Sequence, residues 1–202
     1  ITTPLEHSSI VATLNYLTTL GYEVSVVNLN KDGTINMNHL KKLIRDDTIL
    51  LTMSAVDSEI GIRQDVEWIG KFLKAYPKCF FHVDMTQCLG KDNIDLKNID
   101  LASFSAHKIY CFKGIAGLYK KKNIVIEPLI HGGKSTTIYR SGTPQTELIV
   151  AFSKAIRLAV KDLDKKYKYV SKLNKMIKDN LSNYKNITIN STKKSIPHIL
   201  NI

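Results

Sequence analysis

Between residues 8 and 119 short apolar runs alternate with stretches of helical periodicity, and that alternation limits the fold more than any other feature. Residues 48–56 (TILLTMSAV) form a near-continuous apolar run, the pattern of a strand covered on both faces. Residues 79–83 form another. Residues 101–105 and 115–119 read as short strands around a basic loop, and the Val-rich stretch 23–29 (EVSVVNL) reads as a strand before an NKDG turn at 30–33. Helical spacing covers 8–20, where Ser8 or Ser9 is the expected cap and Gly21 the stop, and also covers 37–45 and 65–76. Strands alternating with helices predict an α/β fold, a mainly parallel sheet flanked by helices.

After Gly142 the texture changes. Residues 147–181 contain no Gly or Pro, and their apolar positions keep a helical period, so one long helix is expected there. Strands are expected at 186–189 and from 196. This reading divides the chain into residues 1–145, part of a larger sheet domain, a connecting helix over 146–184, and the truncated start of a smaller α/β domain at 185–202. A chain that opens on Ile1 reads as a processed product or a fragment, and no signal-peptide pattern is visible in it.

Composition narrows the partners. The net charge of +11 is concentrated late: residues 151–202 carry 12 Lys or Arg against 3 Asp or Glu. The excess is nearly all lysine, whereas base readout and bidentate phosphate binding recruit arginine. No nucleic-acid partner is therefore expected. With no apolar run near the ~18 residues of a membrane span, no membrane partner is expected either. Cys79, Cys88 and Cys111 fit neither a zinc spacing nor a C-x-x-C pair. No metal site is expected, and an odd number of cysteines without a secretion signal suggests a reducing compartment such as the cytoplasm. Cys79 and Cys88, flanking a strand, read as core residues.

Candidate chemistry gathers between residues 82 and 143. In SFSAHK (103–108) an expected strand runs into Ser105, His107 and Lys108, and ligands of open α/β sheets bind at strand carboxyl ends. A lysine there is expected to be partly desolvated, which frees its amine to form Schiff bases; an ordinary loop lysine is the alternative. In HVDMTQ (82–87) a buried strand ends in Asp84 and Gln87. A carboxylate in that place needs a cation or a donor, or it caps the turn that follows. The stretch 130–143 (IHGGKSTTIYRSGT) offers two glycines for close backbone approach, and Arg140, Ser141 and Thr143 as anion donors, or is a hairpin with a polar tip. His7, in EHSS (6–9), precedes the first helix, where an anion is favoured, or is a plain surface residue.

In order, EHSS, AVDSEIG (55–61), HVDMTQ, SFSAHKIY, the glycine pair and RSGT resemble the cysteine desulfurase branch of the class-V aminotransferases, which are fold-type I enzymes dependent on pyridoxal phosphate. The resemblance implies the fold, the cofactor and a homodimer. It also implies L-cysteine as substrate, converted to L-alanine while sulfur passes to an enzyme cysteine as a persulfide and on to a sulfur-acceptor protein. Lys108 corresponds to the lysine that condenses with the cofactor and shuttles protons, and His7 to the histidine stacked on its ring. Asp84 corresponds to the partner of the ring nitrogen, and Gln87 to the donor toward the phenolic oxygen. Ser105 and His107 correspond to phosphate ligands, and Thr143 to a residue reaching the phosphate of a neighbouring subunit.

Departures from the pattern bear on activity. Asp57-Ser58 replaces the usual Asn-Asn, and an ionised Asp57 at that cofactor contact would repel the phenolic oxygen. Cys111-Phe112 replaces Gly-Pro after Tyr110. The family's Gly-rich phosphate loop, acceptor cysteine and carboxylate-binding arginine find no counterpart in these residues, so the segment alone is expected to be inactive. A selenocysteine lyase or another class-V enzyme, and a degenerate non-catalytic homologue acting as a scaffold, are the alternatives.

Overall fold

The computed structural model describes residues 1–133 and 137–202. Helix α1 (Ser8–Thr19) and helix α2 (Met37–Leu43) precede strand β1 (Leu50–Ser54). Helix α3 (Val66–Phe72), strand β2 (Phe80–Asp84), strand β3 (Leu101–Ser105) and strand β4 (Ala116–Lys120) follow, and helices α4 (Thr146–Val160) and α5 (Leu163–Leu181) come last. One sheet has the order β1-β2-β3-β4, parallel through β3 and antiparallel at β4.

Because β1, β2 and β3 are parallel, their carboxyl ends share one edge. Ser54 lies opposite Asp84, and Asp84 opposite Ser103. Leu51, Met53, Phe81, Val83 and Ala102 fill the core under that edge with Leu40, Val66 and Ile69. The alternation of the strands thus sends one set of side chains into the core and aligns the polar set toward the opposite face.

A second, smaller cluster joins the end of the sheet to α4. Ala106 and Ile109, on a 3₁₀ turn after β3 (Ala106–Ile109), pack on Phe152. The rings of Phe104 and Phe152 lie 5.8 Å apart at a tilt of 55°.

Four local expectations are corrected. Residues 23–29 are extended but form only single bridges, Thr2↔Val26 and Leu29↔Ile35. Their backbone bonds are the Thr2 N–H to Ser25 O and Val27 N–H to Thr2 O pair, both 2.9 Å, and Asn36 N–H to Asn28 O at 2.8 Å. The cap of α1 is His7, whose Nδ1 accepts from Ser9 N–H at 3.2 Å, and neither serine caps it.

The expected long helix is two helices. The chain turns extended at Lys161 and left-handed at Asp162 (φ 53°), and Lys166 then donates to the last carbonyls of α4, at Leu158 (2.7 Å) and Ala159 (3.1 Å). The ammonium satisfies acceptors that a helix end leaves open.

Residues 186–189 and 196–202 form no strand. Instead the last residues are stitched to the loop after β1. Ile196 N–H donates to Gly61 O (2.8 Å), Arg63 N–H to Lys194 O (2.9 Å) and Ser191 Oγ to Ile60 O (3.2 Å). Gly61 has a φ of +75°, and a Cβ there would meet Ile199 at 2.8 Å, so this close approach requires glycine. Ile196 thereby enters the main core.

Candidate functional site

A cavity of about 680 Å³ opens at the carboxyl ends of the strands. Its floor is a polar row across three strands. The His82 ring bonds Thr52 Oγ1 through Nδ1 (2.7 Å) and Ser103 Oγ through Nε2 (3.1 Å). Burial holds the His82 pKa below the ordinary imidazole value of 6.5, which favours the neutral ring. Two residues on, and so on the same face, Asp84 accepts from Thr86 N–H through Oδ1 (2.8 Å). That bond realises the local turn expected of Asp84, and no described residue bonds to its Oδ2.

Glu6 ties the start of α1 to the end of β1. Its Oε1 accepts from Thr3 Oγ1 (2.6 Å) and Ser54 N–H (2.9 Å), and its Oε2 from Ser54 Oγ (3.1 Å). Burial above all raises the Glu6 pKa, and the nearby Asp84 charge adds to the effect. His7, next in sequence, lines the cavity and is exposed. Its Nδ1 is occupied as an acceptor from Ser9 N–H, so the proton of the neutral ring belongs on Nε2.

The wall is the turn after β3. Ala106 and Ile109 are buried, which turns His107 and Lys108 outward into the cavity lining. Ser105 precedes the turn, and its side chain makes no capping bond. Lys108 is exposed, a correction to the expected desolvation: the turn anchors its neighbours and not Lys108 itself. It also lines an adjoining, more apolar cavity of about 740 Å³, between residues 89–91, the turn and helices α4 and α5. Gln87 lines the strand-end cavity, and its Oε1 accepts from Lys91 Nζ at 2.6 Å.

Six of the eight residues singled out from the sequence thus come together: His7, Asp84, Gln87, Ser105, His107 and Lys108. Asp57 does not join them. It is buried, with Oδ1 accepting from Glu59 N–H and Ile60 N–H (both 2.9 Å) and Oδ2 from Ile62 N–H (2.7 Å). The carboxylate is turned into its own loop, so the expected repulsion of a cavity ligand does not arise from this geometry. The adjacent Ser58 and Glu59 line the cavity in its place.

Thr143 is exposed and is not part of the lining. In the stretch 130–143, Lys134, Ser135 and Thr136 lie outside the described residues. Around them Ser141 Oγ donates to Gly133 O (2.7 Å) and Arg140 Nη1 to Ser141 O (2.9 Å).

Sequence reasoning missed Glu6, His82, Ser103 and Lys91. A period-two count back from Asp84 and Ser105 finds His82 and Ser103. Cys79 and Cys88 are buried, as expected of core residues, and burial pushes the Cys88 thiol up to about 12. Among the described residues no group of His, Cys, Asp and Glu could hold a metal, and no helix is long and apolar enough to cross a membrane.

Comparison with known proteins adds independent findings. The sequence model of the family described as Aminotransferase class-V matches residues 1–202. The cysteine desulfurase IscS of Buchnera aphidicola subsp. Acyrthosiphon pisum (strain 5A) is 40% identical over 207 residues, covering 100% of this chain and 51% of that protein. The cysteine desulfurase IscS of Vibrio vulnificus (strain YJ016) is 38% identical with the same coverage. The chain therefore spans about half the length of the curated relatives it matches. Among solved structures, a NifS-like protein superposes with a TM-score of 0.92 at 35% identity, over 97% of this chain and 55% of that one. DndA from Streptomyces lividans superposes with a TM-score of 0.91 at 27% identity, over 98% of this chain and 57% of that one. These likenesses bear out the α/β fold expected from the resemblance.

Proposed function

Because the chain belongs to the aminotransferase class-V family, we propose that it is the central part of a pyridoxal-phosphate-dependent cysteine desulfurase. That enzyme converts L-cysteine and an enzyme thiolate into L-alanine and an enzyme persulfide. The observation that carries this reading is the convergence of Lys108, Asp84, Gln87, His7, Ser105 and His107 on one cavity.

The residues present fit the cofactor. A volume of about 680 Å³ lies in the range of small-molecule sites. A carboxylate oxygen, an unengaged hydroxyl, two imidazoles and a lysine amine form a donor set suited to a phosphorylated pyridine aldehyde. When bound, pyridoxal phosphate supplies an aldehyde for an amine and a protonated ring that withdraws electrons from the substrate's α-carbon.

On this reading Lys108 Nζ provides the amine and moves protons from its exposed position on the 3₁₀ turn. Asp84 offers Oδ2 to the ring nitrogen while Oδ1 is held by Thr86 N–H. The His7 ring packs on the pyridine, Gln87 donates its amide N–H, and Ser105 and His107 bind phosphate oxygens. Thr143 is exposed and outside the cavity of its own chain, as a residue serving a second copy would be. We assign it that role in a homodimer. Residues 1–145 then belong to the cofactor-binding domain and 185–202 to the beginning of the smaller one. A sulfur-acceptor protein is the partner this chemistry calls for, and three free cysteines suit a reducing cytoplasm.

The test is borohydride fixation. The chain is mixed with pyridoxal phosphate, scanned for visible absorbance, reduced and mapped by peptide mass. A reduced adduct at Lys108, absent in Lys108→Ala, is expected. No adduct, or an adduct spread over other lysines, overturns the reading. Alanine release from L-cysteine by the longer protein tests the reaction itself.

A further inference from the structure

The bond between Lys91 and Gln87 reaches through the wall between the two cavities. Lys91 lines the apolar cavity, Gln87 lines the strand-end cavity, and Lys108 lines both. The bond is short, 2.6 Å from Nζ to Oε1. Local structure sets it up: Lys91 N–H donates to Cys88 O (2.9 Å), closing a tight turn. Gly90, at φ +73°, lies so close to α4 that a Cβ would stand 2.6 Å from Ala159 Cβ. The turn therefore carries the Lys91 side chain back toward the residue four positions earlier.

An ammonium has three donors and no acceptor. Facing it, an amide can present only its oxygen, since the flipped amide would set donor against donor. The amide is planar, so fixing Oε1 on Lys91 directs Nε2 away from that ammonium, and no bond to a described residue occupies its hydrogens, which leaves them for the cavity that Gln87 lines. Burial first, and the nearby Lys108 ammonium second, lower the Lys91 pKa. The Gln87 oxygen offsets that desolvation by giving the half-buried ammonium an acceptor.

We propose that Lys91 is a positioning residue: it locks the Gln87 amide in the one orientation that presents N–H donors to an oxygen anion in the strand-end cavity. The inference deepens the functional reading above and rests on it, the anion being the cofactor's phenolic oxygen. Lys91 itself touches no ligand.

The experiment measures pyridoxal phosphate dissociation constants for the wild type, Lys91→Met, Lys91→Arg, Gln87→Ala and the Lys91→Met/Gln87→Ala pair. Loss of one charge-assisted hydrogen bond weakens binding about tenfold, so that loss is expected in Lys91→Met. Lys91→Arg, which keeps a donor, retains most of the affinity, and the double variant binds no worse than Gln87→Ala alone. Additive losses, or an unchanged Lys91→Met, overturn the proposal.

A second readout needs no cofactor. The acylation rate of Lys91 by an N-hydroxysuccinimide ester, followed by peptide mass, rises several-fold in Gln87→Ala because the amine loses its acceptor. An equal rate in both proteins overturns the lock. A wild-type chain that takes no cofactor at Lys108 overturns the functional reading alone, and the acylation rates then decide the position of Lys91.

Discussion

His82 and Asp84, on the floor of the strand-end cavity, and Glu6, bonded to Ser54 at its edge, each hold hydrogen bonds within the chain, whereas Ser105, His107 and Lys108, on its wall, hold no side-chain hydrogen bond among the described residues. The floor rides on strands whose other face is the main core. The wall rides on a four-residue turn held by two buried side chains, with Tyr110 and Phe112 exposed beyond it. The contrast separates two jobs. Floor geometry is fixed by folding alone and is ready before any ligand arrives. Wall side chains gain their partners only from what occupies the cavity or covers the turn, so ligand binding should order the wall far more than the floor.

Removing one aromatic ring from each side separates floor from wall most strongly. Phe81 is fully buried beneath the floor, so Phe81→Ala should lower unfolding stability by about 3–5 kcal/mol. Phe112 is 64% exposed, and Phe112→Ala should stay within about 0.5 kcal/mol. Urea midpoints measure both. Equal losses would mean that the wall has a core of its own.

Asp57 combines the two characters: it is bonded like the floor and sits in a loop like the wall. Its two oxygens serve three backbone N–H groups. An asparagine has one acceptor oxygen and sets an –NH₂ against the rest. Asp57→Asn should therefore cost about 2 kcal/mol in urea unfolding, with no gain in pyridoxal phosphate affinity. A tighter-binding Asp57→Asn would show instead that the carboxylate faces the ligand.

What the sequence made legible follows the same division. The strands over 48–56, 79–83 and 101–105 announced themselves because a parallel, doubly covered strand must be apolar along its length. Asp84 and Lys108 stood out because polar groups directly after such runs lie at the functional edge. The orientation of Asp57 was not legible. It depends on the left-handed Gly61 and on the stitching of residues 191–201 to the same loop, contacts more than 100 residues apart in sequence. The break at Asp162 was hidden because apolar phase continues across it and neither Gly nor Pro marks it. An imidazole capping α1 was hidden because serine and aspartate are the usual caps and two serines stood beside it.

The floor should also leave a signature in pH. His82 is held below its ordinary value of 6.5 by burial, so as the pH falls below about 6.5 the unfolded chain takes up a proton that the folded chain refuses. Its contribution is present above 6.5 and is lost as the pH falls through the folded pKa. The slope is at most one proton's worth, about 1.4 kcal/mol per pH unit. Glu6 works in the opposite sense: its pKa is raised above 4.5, so its contribution is present at lower pH and lost as the pH rises through the folded value. Urea unfolding from pH 7 to pH 5 should give a shallower fall in His82→Asn than in the wild type. Parallel slopes would mean that the ring ionises freely and is no part of a buried floor.

A small effect of the opposite sign is expected on the wall. Tyr110 adopts a left-handed backbone (φ 65°) with its side chain fully exposed, and Gly114, four residues on, shows the same sign of φ (86°) in a residue suited to it. A non-glycine residue pays for that conformation in steric contact between Cβ and the following carbonyl. The exposed ring returns little by burial, so Tyr110→Gly should raise unfolding stability by about 0.5–1 kcal/mol, net of the extra freedom that glycine gives the unfolded chain. On the floor no such gain is available, because each side chain there is buried or bonded. A rise in the urea midpoint for Tyr110→Gly fits a wall that folding alone leaves under strain. A fall would mean that the Tyr110 ring is already held by the turn, and that the wall is as preset as the floor.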